Sequence, residues 1–155
     1  MTSIVAYRKH YTALTVITLS LPDSQADPAG GEDLRCTELA TLGDVTYVAV
    51  PEGLDLPEQP VEIVDSIEVV ALTDEMRAAI KVASPHCRLI TERIHDKIRA
   101  AYTAEDEMYF ARIGVGIALD EYTPQPGELD RLRAYGEHVE ACRQWGRDER
   151  AKLGL

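Results

Sequence analysis

The chain has 155 residues, 45% hydrophobic and 28% charged, a composition that suits one ordinary domain or two small subdomains and excludes a disordered chain. Aromatic residues make up only 6%, with one Phe and one Trp, which argues against a base-stacking platform or a large aromatic ligand pocket. The net charge of −11 is lopsided: residues 1–72 hold three basic and twelve acidic residues, so the front half repels phosphate backbones and nucleic acid is not an expected partner.

Cys36, Cys87 and Cys142 are an odd set without CxxC spacing, which fits reduced, buried thiols better than a disulfide framework. Met1–His10 gains charge where a leader's apolar core would begin, and Tyr11–Leu21 is too short to span a bilayer. A soluble intracellular protein without a membrane partner is the expectation.

In chain order, Ser3–Tyr7 and Tyr11–Leu21 read as strands rich in β-branched residues. Pro22–Asp33, with two Pro and a Gly pair, reads as an exposed excursion that either carries a contact or is a tip without a role. Cys36–Leu42 is strand or helical turn, Val45–Val50 is strand, and Pro51–Pro60 is loop or extended edge. Val61–Val70 gives the clearest alternation: Val61, Ile63, Ile67 and Val69 on one face, Glu62, Ser66 and Glu68 on the other, with Asp65 marking a bulge.

The period then changes at Leu72–Thr73. Thr73 caps a helix whose first turn holds Asp74 and Glu75, and Ser84-Pro85 ends it near Ala83 and starts a second. Cys87, Ile90, Ile94, Ile98 and Ala101 form the buried stripe of that second helix. Thr103 with Asp106 opens a third, in which Gly114 and Gly116 either admit a close neighbour or end the helix early. Tyr122–Gly127 turns the chain into a last helix from about Glu128 to Lys152, with Gly154 as its C-cap glycine. Its apolar arc is Leu129, Leu132, Tyr135, Val139, Cys142 and Trp145. Glu128–Arg131, Glu140–Arg143 and Asp148–Lys152 are expected surface pairs. The expected fold is α+β: a small N-terminal antiparallel sheet or half-open barrel (1–72), then a bundle of three to four helices (73–155).

No chemistry-bearing motif emerges. His138 and Cys142 share a helix face, but two ligands are too few for zinc. His86-Cys87 and His95-Asp96 are sequence neighbours whose side chains diverge by about 100° on a helix. Glu105–Glu107 suits a helix start, and Gly114-Val115-Gly116 lacks the rest of a dinucleotide fingerprint. The expectation is a protein that is not an enzyme and carries no catalytic, metal or cofactor site. Arg143, Arg147, Arg150 and Lys152 make the last helix basic at its end, which both complements the helix dipole and offers a dock for an acidic partner. Trp145 beside them is a candidate binding anchor, with Arg143, Arg147, Leu132, Tyr135 and Val139 as the surrounding partner-binding residues.

The segment Tyr135–Leu155 (YGEHVEACRQWGRDERAKLGL) resembles the ends of small phage and prophage proteins encoded near tail and tail-fibre genes. Ser84–Tyr102 and the following Ala104–Glu107 resemble the helical part of such proteins. The resemblance implies a non-catalytic tail or tail-fibre assembly protein in the host cytoplasm or the virion. Its partner would be a tail component or a second copy of itself. A virally encoded acidic inhibitor of a host defence system, or a small enzyme using a cryptic Cys–His or carboxylate pair, are the competing expectations.

Overall fold

Six short strands and four helices make up the described part of the chain, residues 2–27, 30, 31 and 33–155 of a computed structural model. Strands β1 (Ser3–Arg8), β4 (Thr37–Leu42), β5 (Val45–Val50) and β6 (Glu68–Val70) form an antiparallel sheet in the order β4-β5-β1-β6. β2 (His10–Tyr11) and β3 (Val16–Ile17) form a separate two-stranded ribbon. The helices are α1 (Asp74–Ala83), α2 (Pro85–Ala101), α3 (Ala104–Ala118) and α4 (Glu128–Lys152). The class is α+β, and its sheet is an open one with β4 and β6 at its edges.

The run of buried residues in β1 follows from a sheet covered on both faces. On one face Ile4, Ala6, Tyr47, Ala49 and Leu39 pack with Ile80 of α1 and with Met76, Leu153 and Leu155. On the other, Val5, Tyr7, Val48 and Val50 pack with Leu19, Leu54 and Ile63 from the loops. A bulge between Glu38 and Ala40 turns the consecutive Leu39 and Ala40 toward the same cluster, and Leu39 is fully buried.

Two expected strands are shorter than their patterns promised. Within Tyr11–Leu21 the Thr12 hydroxyl accepts from the Thr15 amide at 2.9 Å, and the Thr12 amide donates to the Thr15 carbonyl at 2.9 Å. These local bonds compete with a ladder and leave only Val16–Ile17 of the second half paired. Val61–Val70 is strand only over Glu68–Val70. Pro60 starts a turn whose carbonyl accepts from Ile63 and Val64, and the Ser66 hydroxyl donates to the Ile63 carbonyl at 2.7 Å. Asp65 therefore lies in a 3-10 turn, Val64–Ser66, not in a bulge. Of the 22–33 loop, Pro28, Ala29 and Glu32 lie outside the described residues, while Gln25 and Leu34 bridge its base.

The helix signals are expressed as written. Thr73 accepts from the Met76 amide, and Thr103 and Asp106 form a reciprocal capping box. Cys87, Ile90, Ile94 and Ile98 are buried, whereas Ala101 is exposed. Gly154 has φ +77°, a left-handed backbone that favours glycine, and a Cβ there would press at 3.0 Å on the movable tip of Ile4, Cδ1.

The chain divides into two compact units, Met1–Arg88 with Glu149–Leu155, and Leu89–Asp148. The change of period at Leu72–Thr73 falls inside the first unit, which keeps α1 on the sheet.

Candidate functional site

Tyr102, Phe110, Tyr135 and His138 form an aromatic cluster in the second unit. Tyr135 stacks on Phe110 at 5.0 Å, and Tyr102 meets Tyr135 edge-on at 5.1 Å and His138 at 5.5 Å. Of the expected partner-binding residues, Leu132, Tyr135, Val139 and Trp145 are half-buried, and Arg143 and Arg147 are exposed. Lys97 lies over the Trp145 ring at 4.7 Å. Arg147 is held on its own helix by Glu140 and Gln144. All six lie on α4, four of them half-buried and two exposed.

The surface pairs differ in partner from the expected ones. Asp130 meets Arg133 at 3.5 Å, Glu149 meets Lys152 at 2.7 Å, and Glu140 meets Arg147 rather than Arg143. Asp148 accepts from Gln144 at 2.7 Å. Glu128, read from the sequence as a surface residue, is only 4% exposed. Its carboxylate accepts from the Tyr109 hydroxyl, from the Tyr122 hydroxyl at 2.8 Å and from the Gln125 amide at 2.7 Å. The Tyr109, Gln125 and Tyr122 donors, in that order, hold its pKa below the usual carboxylate range, and the same charge pushes both tyrosines up. This clamp fixes the α3–α4 connection. Gly116 lets it close, since a Cβ there would lie 2.8 Å from Tyr122 Cβ. Two polar aromatic residues spaced around one acid carry no sequence pattern that would have announced the clamp.

His138 Nε2 lies 3.2 Å from the Lys97 carbonyl and 3.6 Å from Cys142 Sγ. A carbonyl only accepts, so that hydrogen bond requires the proton on Nε2. The same nitrogen then has no lone pair with which to activate the thiol or bind a metal. Among the described residues no group of three or more His, Cys, Asp or Glu is placed to hold a metal ion. Among the described residues no helix is long and apolar enough to cross a membrane.

The most exposed large apolar side chains of this unit lie on or just past α3. Phe110 and Ile113 face inward, while Met108 (63% exposed), Val115 (59%) and, just past the helix end, Leu119 (63%) face solvent. The exposed Ala111 and Ala118 complete the stripe at helical spacing. The sequence carries the signal beyond the first turn, where Arg112 is the one charged residue among 108–118, a pattern that ordinarily accompanies burial. Neither the protein families, nor the curated proteins, nor the solved structures with which the chain was compared contain a match.

Proposed function

We propose that this protein works by binding another polypeptide, not by bond chemistry, and that the outward stripe of α3 is the surface it uses. The observation that carries this reading is the solvent-facing row Met108, Ala111, Val115, Ala118 and Leu119 on a helix whose opposite face is already buried. Contiguous apolar surface of this kind marks interaction sites, because leaving it in water forfeits the free energy of burial. A stable complex covers roughly 800 Å² per partner, so the contact would extend beyond the stripe to further exposed residues of this unit. The setting we propose is tail or tail-fibre assembly. It rests only on the resemblance of Tyr135–Leu155, Ser84–Tyr102 and Ala104–Glu107.

The test is co-expression of the chain with the products of the genes flanking its own, followed by light scattering on the purified complex. We expect a complex of defined stoichiometry that Val115→Glu and Leu119→Glu abolish. Both positions are exposed, so the melting temperature of the isolated chain should stay nearly unchanged. A chain that associates with none of those products, or a complex indifferent to both substitutions, overturns the reading.

A further inference from the structure

The β1–β6 ladder ends at Ile4↔Val70. One or two steps further, the same register would set Ser3 opposite Ala71 and Thr2 opposite Leu72, but β6 has ended there. At this point a cleft of about 480 Å³ opens, lined by Thr2, Ser3, Ile4, the run Val69 to Leu72, Arg77 and Gly154. That volume is within the range of small-ligand sites. Its wall has two chemistries. Ile4, Val69, Val70 and Leu72 are aliphatic, whereas Thr2, Ser3 and the guanidinium of Arg77 are polar.

Arg77 is half-buried, and its Nη1 donates to the Gly154 carbonyl at 2.9 Å. A carbonyl takes one of the five guanidinium donors and leaves the charge uncompensated. Two cations of β1 and its end do meet carboxylates: Arg8 meets Asp44 at 2.9 Å and Lys9 meets Glu38 at 2.7 Å. Arg77 has no such carboxylate among the described residues. Carboxylates are not scarce here, since residues 1–72 contain twelve acidic residues. None of the described ones pairs with Arg77, and a half-buried arginine beside an aliphatic wall lines an open cleft.

We propose that this cleft binds an aliphatic carboxylate. The anion takes the remaining donors of Arg77 in the forked geometry that guanidinium favours, and the hydrocarbon lies against Ile4, Val69, Val70 and Leu72. A free short-chain acid and the carboxy terminus of a peptide ending in leucine present this same chemistry.

The experiment titrates the full chain with hexanoate and with acetyl-alanyl-leucine, each against its neutral amide, and follows the backbone amides by heteronuclear NMR. At least one acid should shift the signals of Ser3, Ile4, Val70, Ala71 and Leu72, with its amide bound about tenfold more weakly or worse. Which acid binds identifies the source of the carboxylate. Arg77→Gln should reproduce the loss seen with the amide. Because Arg77 also holds the Gly154 turn, the comparison of acid with amide on the unaltered chain decides the matter where that variant does not fold. Equal binding of acid and amide, shifts mapping outside the cleft, no binding of either acid, or unchanged binding to a folded Arg77→Gln overturns the proposal.

Discussion

The two units are stabilised by different means. The first packs a sheet between two aliphatic clusters, and Leu39 and Ile80 are completely excluded from water. The second has a thinner interior, in which Ile90, Ile94, Ile98, Phe110 and Ile113 keep a little exposure and stacked aromatic rings fill the remainder. It adds directional devices: a capping box at Thr103, a charged clamp at Glu128 and a glycine at the point of closest approach. The contrast teaches that a sheet with both faces covered relies on non-directional burial, whereas three helices with little interior volume depend on geometry as well.

That contrast is broken most forcefully from the core. Ile80→Ala removes a fully buried side chain between α1 and the sheet and should cost about 2–5 kcal/mol in urea unfolding. Ile94→Ala in the second unit should cost less, because its surroundings are closer to solvent and relax into the space. Equal losses would show that the two interiors are equally close-packed.

Gly116→Ala sharpens the geometric side of the comparison. Helix propensity alone favours alanine by about 1 kcal/mol, but the new Cβ would meet Tyr122 Cβ at 2.8 Å, backed by the clamp on Glu128. A net loss of stability is expected, with Gly114→Ala, which meets no neighbour, gaining instead. A stabilised Gly116→Ala would mean that the connection yields freely.

The smallest effect is a pH dependence. Hydrogen bonds from Tyr109, Gln125 and Tyr122 depress the pKa of Glu128 in the folded chain, so the unfolded state binds its proton at higher pH. Its contribution is therefore complete above the unfolded carboxylate value of about 4.3 and is lost as pH falls through the lower folded value. Glu128→Gln should lower the unfolding midpoint at pH 7 and converge with the unaltered chain in strong acid. A difference that does not shrink on acidification would assign the role to shape and not to charge.

The helical half was the more legible part. Thr73, Ser84-Pro85, Thr103 and the start at Glu128 each mark a helix boundary because capping is local chemistry, set by residues three positions apart. Tyr11–Leu21 and Val61–Val70 were less legible: both have β-branched composition, but threonine, serine and proline side-chain and turn bonds claim the backbone groups a ladder needs. The proposed surfaces were legible only in part. The apolar girth of α3 is written in its residues, while Arg77 gives no sign in sequence that its neighbours are a carbonyl and an aliphatic wall.

The sequence by itself determined the class, the helix starts and the glycine that ends the last helix, since period and capping are properties of a few adjacent residues. Tertiary structure alone decided that Glu128 is buried between two tyrosines and that the bulge falls at Leu39. It likewise decided that Arg77 lacks a carboxylate among the described residues. Each depends on groups far apart in the chain meeting in space, and no local pattern encodes such a meeting.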